Sequence, residues 1–206
     1  MTTKKFAFAA CLAGISSVVI AACSQSEPGP DLTKVVERTE TAMTEYQDYL
    51  TRNGIEEAGP DELQQFETVL VDSINSDPRF YGNPIGVDVA QDGSVDGFKD
   101  TNANNEQDYG ENALFKIEID SANQRMIVTD LTTGNATGFP FMGAATGFLA
   151  GALIGNLLSR QRSAGIQPSS FNNRSVQSPS QYANQRSAAQ SQARSRARSG
   201  GPSRGK

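Results

Sequence analysis

Histidine and tryptophan are absent from this 206-residue chain, and cysteine occurs only as Cys11 and Cys23. Without histidine there is no Ser-His-Asp or Cys-His nucleophilic machinery and no imidazole ligand for zinc. Chemistry carried by oxygen alone, either paired carboxylates or a hard-cation site, stays open. Acid is also missing from the whole C-terminal part of the chain. All 23 acidic residues lie between Glu27 and Asp130, against seven bases there (Lys34, Arg38, Arg52, Arg79, Lys99, Lys116, Arg125), an excess of 16 negative charges. From residue 131 onward there are nine bases and no acid, and the overall charge of −5 hides this split. Hydrophobic residues make up 37% of the chain and the mean hydropathy is −0.45, which leaves room for one domain with appendages. So sharp a division of charge suggests separate tasks for the two parts.

What the sequence does have begins at the N-terminus. Lys4 and Lys5 precede a predominantly apolar region of 15 residues at 6–20 and then small residues, the pattern of a secretory signal and too short for a comfortable membrane span of about 20 residues. Ile20-Ala21-Ala22-Cys23 resembles the lipobox of bacterial lipoproteins, an aliphatic residue and two small ones before a cysteine. The resemblance implies cleavage after Ala22 and fatty acylation of Cys23. Cys11 fits poorly, because Phe8 stands at the aliphatic position and few apolar residues precede it. The blander alternative is an ordinary secretory signal with a chance cysteine. On the lipoprotein reading Cys11 leaves with the signal, and the mature chain has neither free thiol nor disulfide. The expected organisation is signal peptide 1–22, Pro/Gly-containing tether 23–30, acidic domain 31–138, apolar helix 139–158 and a basic Arg/Ser/Gln-rich tail 159–206.

Inside the acidic domain Asp31 is an N-cap, and Leu32, Val35, Val36, Met43, Tyr46 and Leu50 recur at helical spacing up to Arg52. Asn53-Gly54 supplies a C-cap, Gly59-Pro60-Asp61-Glu62 a second start, and Asp77-Pro78 a second stop. The period then shortens to two. Ile85, Val87 and Val89 alternate, Asp92-Gly93 turns the chain, and Val95 and Phe98 return; a second hairpin is expected from residues 114–119 and 126–129. The fold expected is α+β: a helical hairpin on a small four-stranded antiparallel sheet, followed by a glycine-rich hydrophobic helix and a disordered tail.

Residues 139–158 carry no charge and place Gly143, Gly147, Gly151 and Gly155 at every fourth position. On a helix these make one stripe for close backbone approach, and the pattern resembles the glycine zipper of membrane-associated proteins. Twenty residues at about 1.5 Å each span about 30 Å, a bilayer core. The reading implies self-association or contact with another membrane protein; the alternative is a glycine-rich core helix of the domain. A span across the inner membrane with the basic tail inside suits the positive-inside rule. Ser24 beside the lipidated cysteine, by resemblance to Gram-negative sorting signals, instead directs the protein to the periplasmic face of the outer membrane, which is favoured here.

The segment 100–111 has a cation-loop pattern. Numbered as a 12-residue calcium loop, it sets Asp100, Asn102, Asn104, Asp108 and Glu111 at positions 1, 3, 5, 9 and 12, with the carbonyl of Glu106 at 7. Asn105 replaces the usual glycine, Gln107 stands where an aliphatic residue is usual, and strands flank the loop, so a polar Asx-rich turn is the competing reading. Near the other end Arg194, Arg196 and Arg198 alternate with small residues, a run suited to an anionic surface; two aromatics in the tail give little support for nucleic acid. Two functions follow. The first is a non-catalytic envelope lipoprotein with a structural, assembly or accessory role. The second is a periplasmic hydrolase using Asp88 or Asp96 with Glu118, supported only by the abundance of acids.

Overall fold

The computed structural model describes residues 29–141 and 151–178, together with positions 181, 184, 187, 188 and 191. Two helices, α1 (Leu32–Arg52) and α2 (Pro60–Asn75), form an antiparallel pair. The Asp31 carboxylate accepts from the Thr33 amide at 2.9 Å, satisfying one of the free donors of α1. Glu62 reaches back to the Gly59 amide at 2.8 Å and does the same for α2. Five strands then run as an antiparallel meander: β1 (Ile85–Val89), β2 (Val95–Lys99), β3 (Ala113–Asp120), β4 (Arg125–Asp130) and β5 (Ala136–Pro140). A third helix, α3 (Ala152–Ser163), and a 3₁₀ turn at Pro168–Phe171 lead to β6 (Ser175–Val176), which pairs parallel to β5.

The sheet is therefore six-stranded and mixed, in the order β1-β2-β3-β4-β5-β6, rather than four-stranded and antiparallel. Both extra strands come from segments of weak alternation. Ala136 to Pro140 has one large side chain, Phe139, which is 2% exposed and belongs to the core, and β6 has only two residues.

Side chains from α1 and α2 meet one sheet face. Val35, Val36, Met43, Leu50, Phe66, Leu70 and Ile74 form a single core with Val87, Phe115, Ile117, Met126 and Val128. The ring of Phe115 lies over Gly97 of the neighbouring strand, where an added Cβ would strike it. On the opposite face Phe98 covers Gly86 in the same way. Helix α2 also shields the free edge of β1: Asn75 Oδ1 accepts from the Ile85 amide at 2.9 Å, and Glu67 Oε1 from the Val89 amide at 2.7 Å.

The glycine-rich helix over 139–158 is not formed. Residues 139 and 140 end β5, and α3 has 12 residues and starts only at Ala152. No described helix is long and apolar enough to cross a membrane. Leu153, Ile154 and Leu157 are instead fully buried in the domain core. Gln47 of α1 accepts from the Leu153 amide at 3.2 Å and so caps α3, and Gly151 is the residue that lets the Gln47 amide come this close. Asn156 donates to the Ala58 carbonyl at 2.7 Å. Gly93, left-handed at φ +76°, brings the β1–β2 turn against the backbone of α3 at Leu157. The buried Gln161 amide faces the backbone N and O of Ile119 at 3.2 Å each, in the place β2 leaves beside the end of β3. Gly143 and Gly147 lie outside the described residues.

Against the disorder expected over 159–206, residues 159–178 belong to the end of α3, the 3₁₀ turn and β6, and beyond them only five positions are described. Gln181, Asn184, Ser187, Ala188 and Ser191 are helical and exposed. Ser178 and Gln181 make a reciprocal capping pair, Gln181 N to Ser178 Oγ at 3.2 Å and Ser178 N to Gln181 Oε1 at 3.4 Å.

These contacts separate two glycines. Gly97→Ala should destabilise the protein by about 1–3 kcal/mol, because the Phe115 ring has nowhere to go. Gly155 has nothing within 4 Å of an added Cβ, so Gly155→Ala in α3 should stabilise by about 0.5–1 kcal/mol. Urea unfolding of both variants measures the two effects, and a loss of stability in Gly155→Ala would show close packing at this position.

Candidate functional site

Register decides where the acids go. With Val87, Val89, Val95 and Ile117 directed at the helices, the alternate residues Asp88, Asp96, Lys116 and Glu118 share the opposite face. Asp88 pairs directly with Asp96, and Asp96 with Lys116. Two carboxylates directly opposite one another are unfavourable without a cation. Lys116 supplies one, but its ammonium sits 2.9 Å from Asp92 and 4.0 Å from Asp96. Asp92 also accepts from the Ser94 amide and hydroxyl, at 2.9 and 2.6 Å.

The electrostatics follow from that unequal sharing. Burial raises the Asp92 carboxyl, yet the Ser94 and Lys116 hydrogen bonds outweigh it and take the pKa down to about 2. Burial raises Asp96, and Lys116 compensates only in part against the nearby Asp92 and Asp88. Burial likewise raises Glu118, which Lys116 and Arg174 partly offset. At the β1 edge burial raises Glu67 despite its bond to the Val89 amide, with Asp88 adding to the rise and Arg160 opposing it. The face thus gathers several half-buried carboxylates around too few cations.

Beside it a cavity of about 340 Å³ opens, with Asp88, Asp96 and Phe98 on the sheet side and Glu106 and Leu131 on the loop side. A second concavity of about 490 Å³ lies between α1 and α2, lined by Glu45, Tyr46, Tyr49, Gln65, Thr68 and Val69. There the Tyr46 and Tyr49 rings stack 5.6 Å apart, and burial pushes the Tyr46 hydroxyl up to about 12.

The 100–111 loop brings its alternate oxygens together but engages them with its own donors. Asp100, 1% exposed, accepts from the Asn104 and Asn105 amides at 3.2 and 2.9 Å. Asn102 and Asn104 both donate to Asp108 Oδ2, at 2.8 and 3.1 Å, and Asn104 Oδ1 accepts from the Glu106 amide at 2.9 Å. Glu111 accepts from the Thr101 and Asp108 amides at 2.6 and 3.0 Å, bonds that lower its pKa, that from Asp108 most. Ala103 and Asn105 are left-handed at φ 57° and 60°, so asparagine does take the backbone shape glycine usually supplies at that position. Among the described residues no group of three or more acids, cysteines or histidines is arranged to hold a metal ion.

Of the acids named for hydrolysis, Asp88 or Asp96 with Glu118, the register sets Asp88 opposite Asp96 and Asp96 opposite Lys116, while Glu118 lies on β3 on the same face, directly opposite neither. Strand alternation carries that much of the signal; Lys116, Asp92, Glu67 and Arg174 enter only through tertiary pairing. Cys23 lies outside the described residues. No protein-family model, no curated protein and no solved structure matches the chain.

The pH dependence has a definite sign. Asp96, Glu118 and Glu67 are raised in the folded state, so their stabilisation is complete below the ordinary carboxylate range and is lost as pH rises through their folded values. Asp92 works in the other direction, contributing above its ordinary value and failing as pH falls toward about 2. Urea stability should therefore rise on acidification from neutral toward the ordinary carboxylate range, then fall near pH 2. Asp96→Asn combined with Glu118→Gln should reduce the first change to the part that Glu67 carries and leave the second.

Proposed function

We propose that this chain is a non-catalytic lipoprotein of the bacterial cell envelope, anchored by lipid at Cys23 and presenting its acidic α+β domain as a structural, assembly or accessory module. The observation that carries the reading is Ile20-Ala21-Ala22-Cys23 placed directly behind a basic and apolar leader. The described domain starts at Gly29, six residues beyond Cys23, so the tether reaches at most about 20 Å. Gly29 lies against Thr132, at the sheet end where the 100–111 loop also emerges, so anchor and loop share one end of the domain. The engagement of Lys116 among the carboxylates favours a binding face over an acid/base pair.

Ser24 supports the periplasmic face of the outer membrane. The stretch 139–158, which argued for the inner membrane, is divided between β5 and α3 and adds no support for a span. Calcium belongs to this reading as a stabiliser of the 100–111 loop, where a cation would replace N–H donors on Asp100 and Glu111.

Cys23→Ser should abolish fatty-acid labelling and leave the unprocessed precursor; labelling that persists would remove the central claim. Millimolar calcium should raise the Tm of the full chain in proportion to RT ln(1 + [L]/Kd), and Asp100→Ala with Glu111→Ala should erase the rise. A Tm indifferent to calcium would leave the loop a self-contained turn.

A further inference from the structure

The far face of the β1–β2–β3 region pairs a concavity with unbalanced charge. Its floor is the buried Phe98 ring, Asp88 and Asp96 stand along the sheet side, and Leu131, 42% exposed, lies on the rim. The cations already there are shared: Lys116 is bonded to Asp92, and Arg174, from the segment just before β6, offsets Glu118. An apolar floor beside opposed carboxylates suits a side chain with a long stem and a planar, doubly donating head, which is arginine.

We propose that Arg194, Arg196 and Arg198 of the chain's own C-terminal segment dock on this face, with guanidinium groups against Asp88 and Asp96 and stems over Phe98. Charge complementarity singles out this occupant. The chain beyond Ser178 carries six bases and no acid. Arg174, at the start of the same C-terminal arm, already exerts its charge on Glu118 of this face. Alternation is the second argument, since extended residues two apart project to one side, about 6.6 Å apart, while neighbouring strands lie about 4.8 Å apart. Successive arginines therefore straddle the Asp88 and Asp96 strands.

Reach is sufficient. From β6 to β2 is four inter-strand steps, about 19 Å. Ser178 to Arg194 is 16 residues, and even at the most compact regular rise of about 1.5 Å per residue that length of chain spans about 24 Å. Because the two parts share one chain, their effective concentration is in the millimolar range, and a modest attraction is enough to hold them together.

The test uses the full chain in non-ionic detergent micelles, with trypsin cleavage after Arg194, Arg196 and Arg198 followed by mass spectrometry. Docked arginines should be cut several-fold more slowly at about 20 mM salt than at about 500 mM, where attraction between exposed charges is screened. A synthetic peptide of residues 192–206, cut alongside, corrects for the protease itself. Asp88→Asn with Asp96→Asn should bring the low-salt rate up to that of the peptide. In a second measurement, Arg194→Gln, Arg196→Gln and Arg198→Gln together should shift backbone amide resonances of Asp88, Asp96 and Gly97; this variant leaves residues 29–178 unchanged, so the comparison does not depend on refolding a mutated face. Three outcomes overturn the proposal: cleavage as fast as the peptide at low salt, protection that grows with protein concentration and so comes from a second copy, or amide shifts confined to the α1–α2 groove.

Discussion

A buried ion pair at the β3–β4 turn sets the position of the chain that follows it. Asp120, 1% exposed, accepts from Arg125 Nε at 2.7 Å and from the Asn123 side chain at 2.8 Å, which closes the hairpin. The same guanidinium sends its Nη2 to the Phe171 carbonyl at 2.9 Å, fastening the 3₁₀ turn that leads to β6. Removing one partner of such a pair costs about 3–5 kcal/mol, because the other is left buried and uncompensated. The helix-surface pair Lys34 with Glu37, at 2.8 Å, contributes on the order of 0.5 kcal/mol by comparison. Gln161 against Ile119 and Asn156 against Ala58 fasten α3 in the same manner. The segment after β5 is therefore an arm tied to the domain by buried polar bonds as well as by Leu153, Ile154 and Leu157.

Those ties explain which parts of the architecture were legible. Both early helices announce themselves locally, through Asp31, Asn53-Gly54 and Pro60 at the ends and apolar residues at helical spacing between. The first two hairpins do so through Val/Ile alternation around Asp92-Gly93. The later part is decided by long-range partners. Mean apolarity over 139–158 merges the end of a strand with the start of a helix, and neither Pro140 nor the caps of α3 interrupt it visibly. Gly151 stands at the N-cap of α3 against the side-chain amide of Gln47, and Gly155 has open space beside it, so neither described glycine of the series meets a neighbouring helix backbone. In the tail, Ser178 and Gln181 carry a capping signal that low-complexity composition conceals.

The site divides along the same line. Side-chain alternation alone places Asp88, Asp96 and Glu118 on one face, and the polar spacing of 100–111 marks a loop, whose acids form no metal-holding group among the described residues. Sequence spacing does not say who already occupies those oxygens. In the loop the occupants are backbone amides and the side chains of Asn102, Asn104 and Thr101, which make it an ordered turn in its own right. On the sheet, among the described residues, the ammonium within 4.0 Å of these acids is Lys116, committed mainly to Asp92, while Arg174 acts on Glu118, and Asp96 and Glu118 stay half-buried.

Charge then links the domain to its surroundings. A module with an excess of 16 negative charges is repelled by an anionic bilayer, yet on the proposed anchoring it is held within about 20 Å of one by a six-residue tether. Screening beyond about 8 Å removes most of that repulsion, except at the end beside Gly29, where Glu106, Asp108 and Glu111 project. The basic tail changes the balance in two mutually exclusive ways, since an arginine engaged with Asp88 and Asp96 is not free to neutralise lipid phosphate. Competition between the domain's own carboxylates and an outside anionic surface makes tail release depend on what lies nearby. Uniform membrane affinity along the tail would give no such dependence, because it needs no acidic face. The crowding of acids opposite Asp88, at a cost in stability at neutral pH, is more easily understood if that face has a cationic partner of its own.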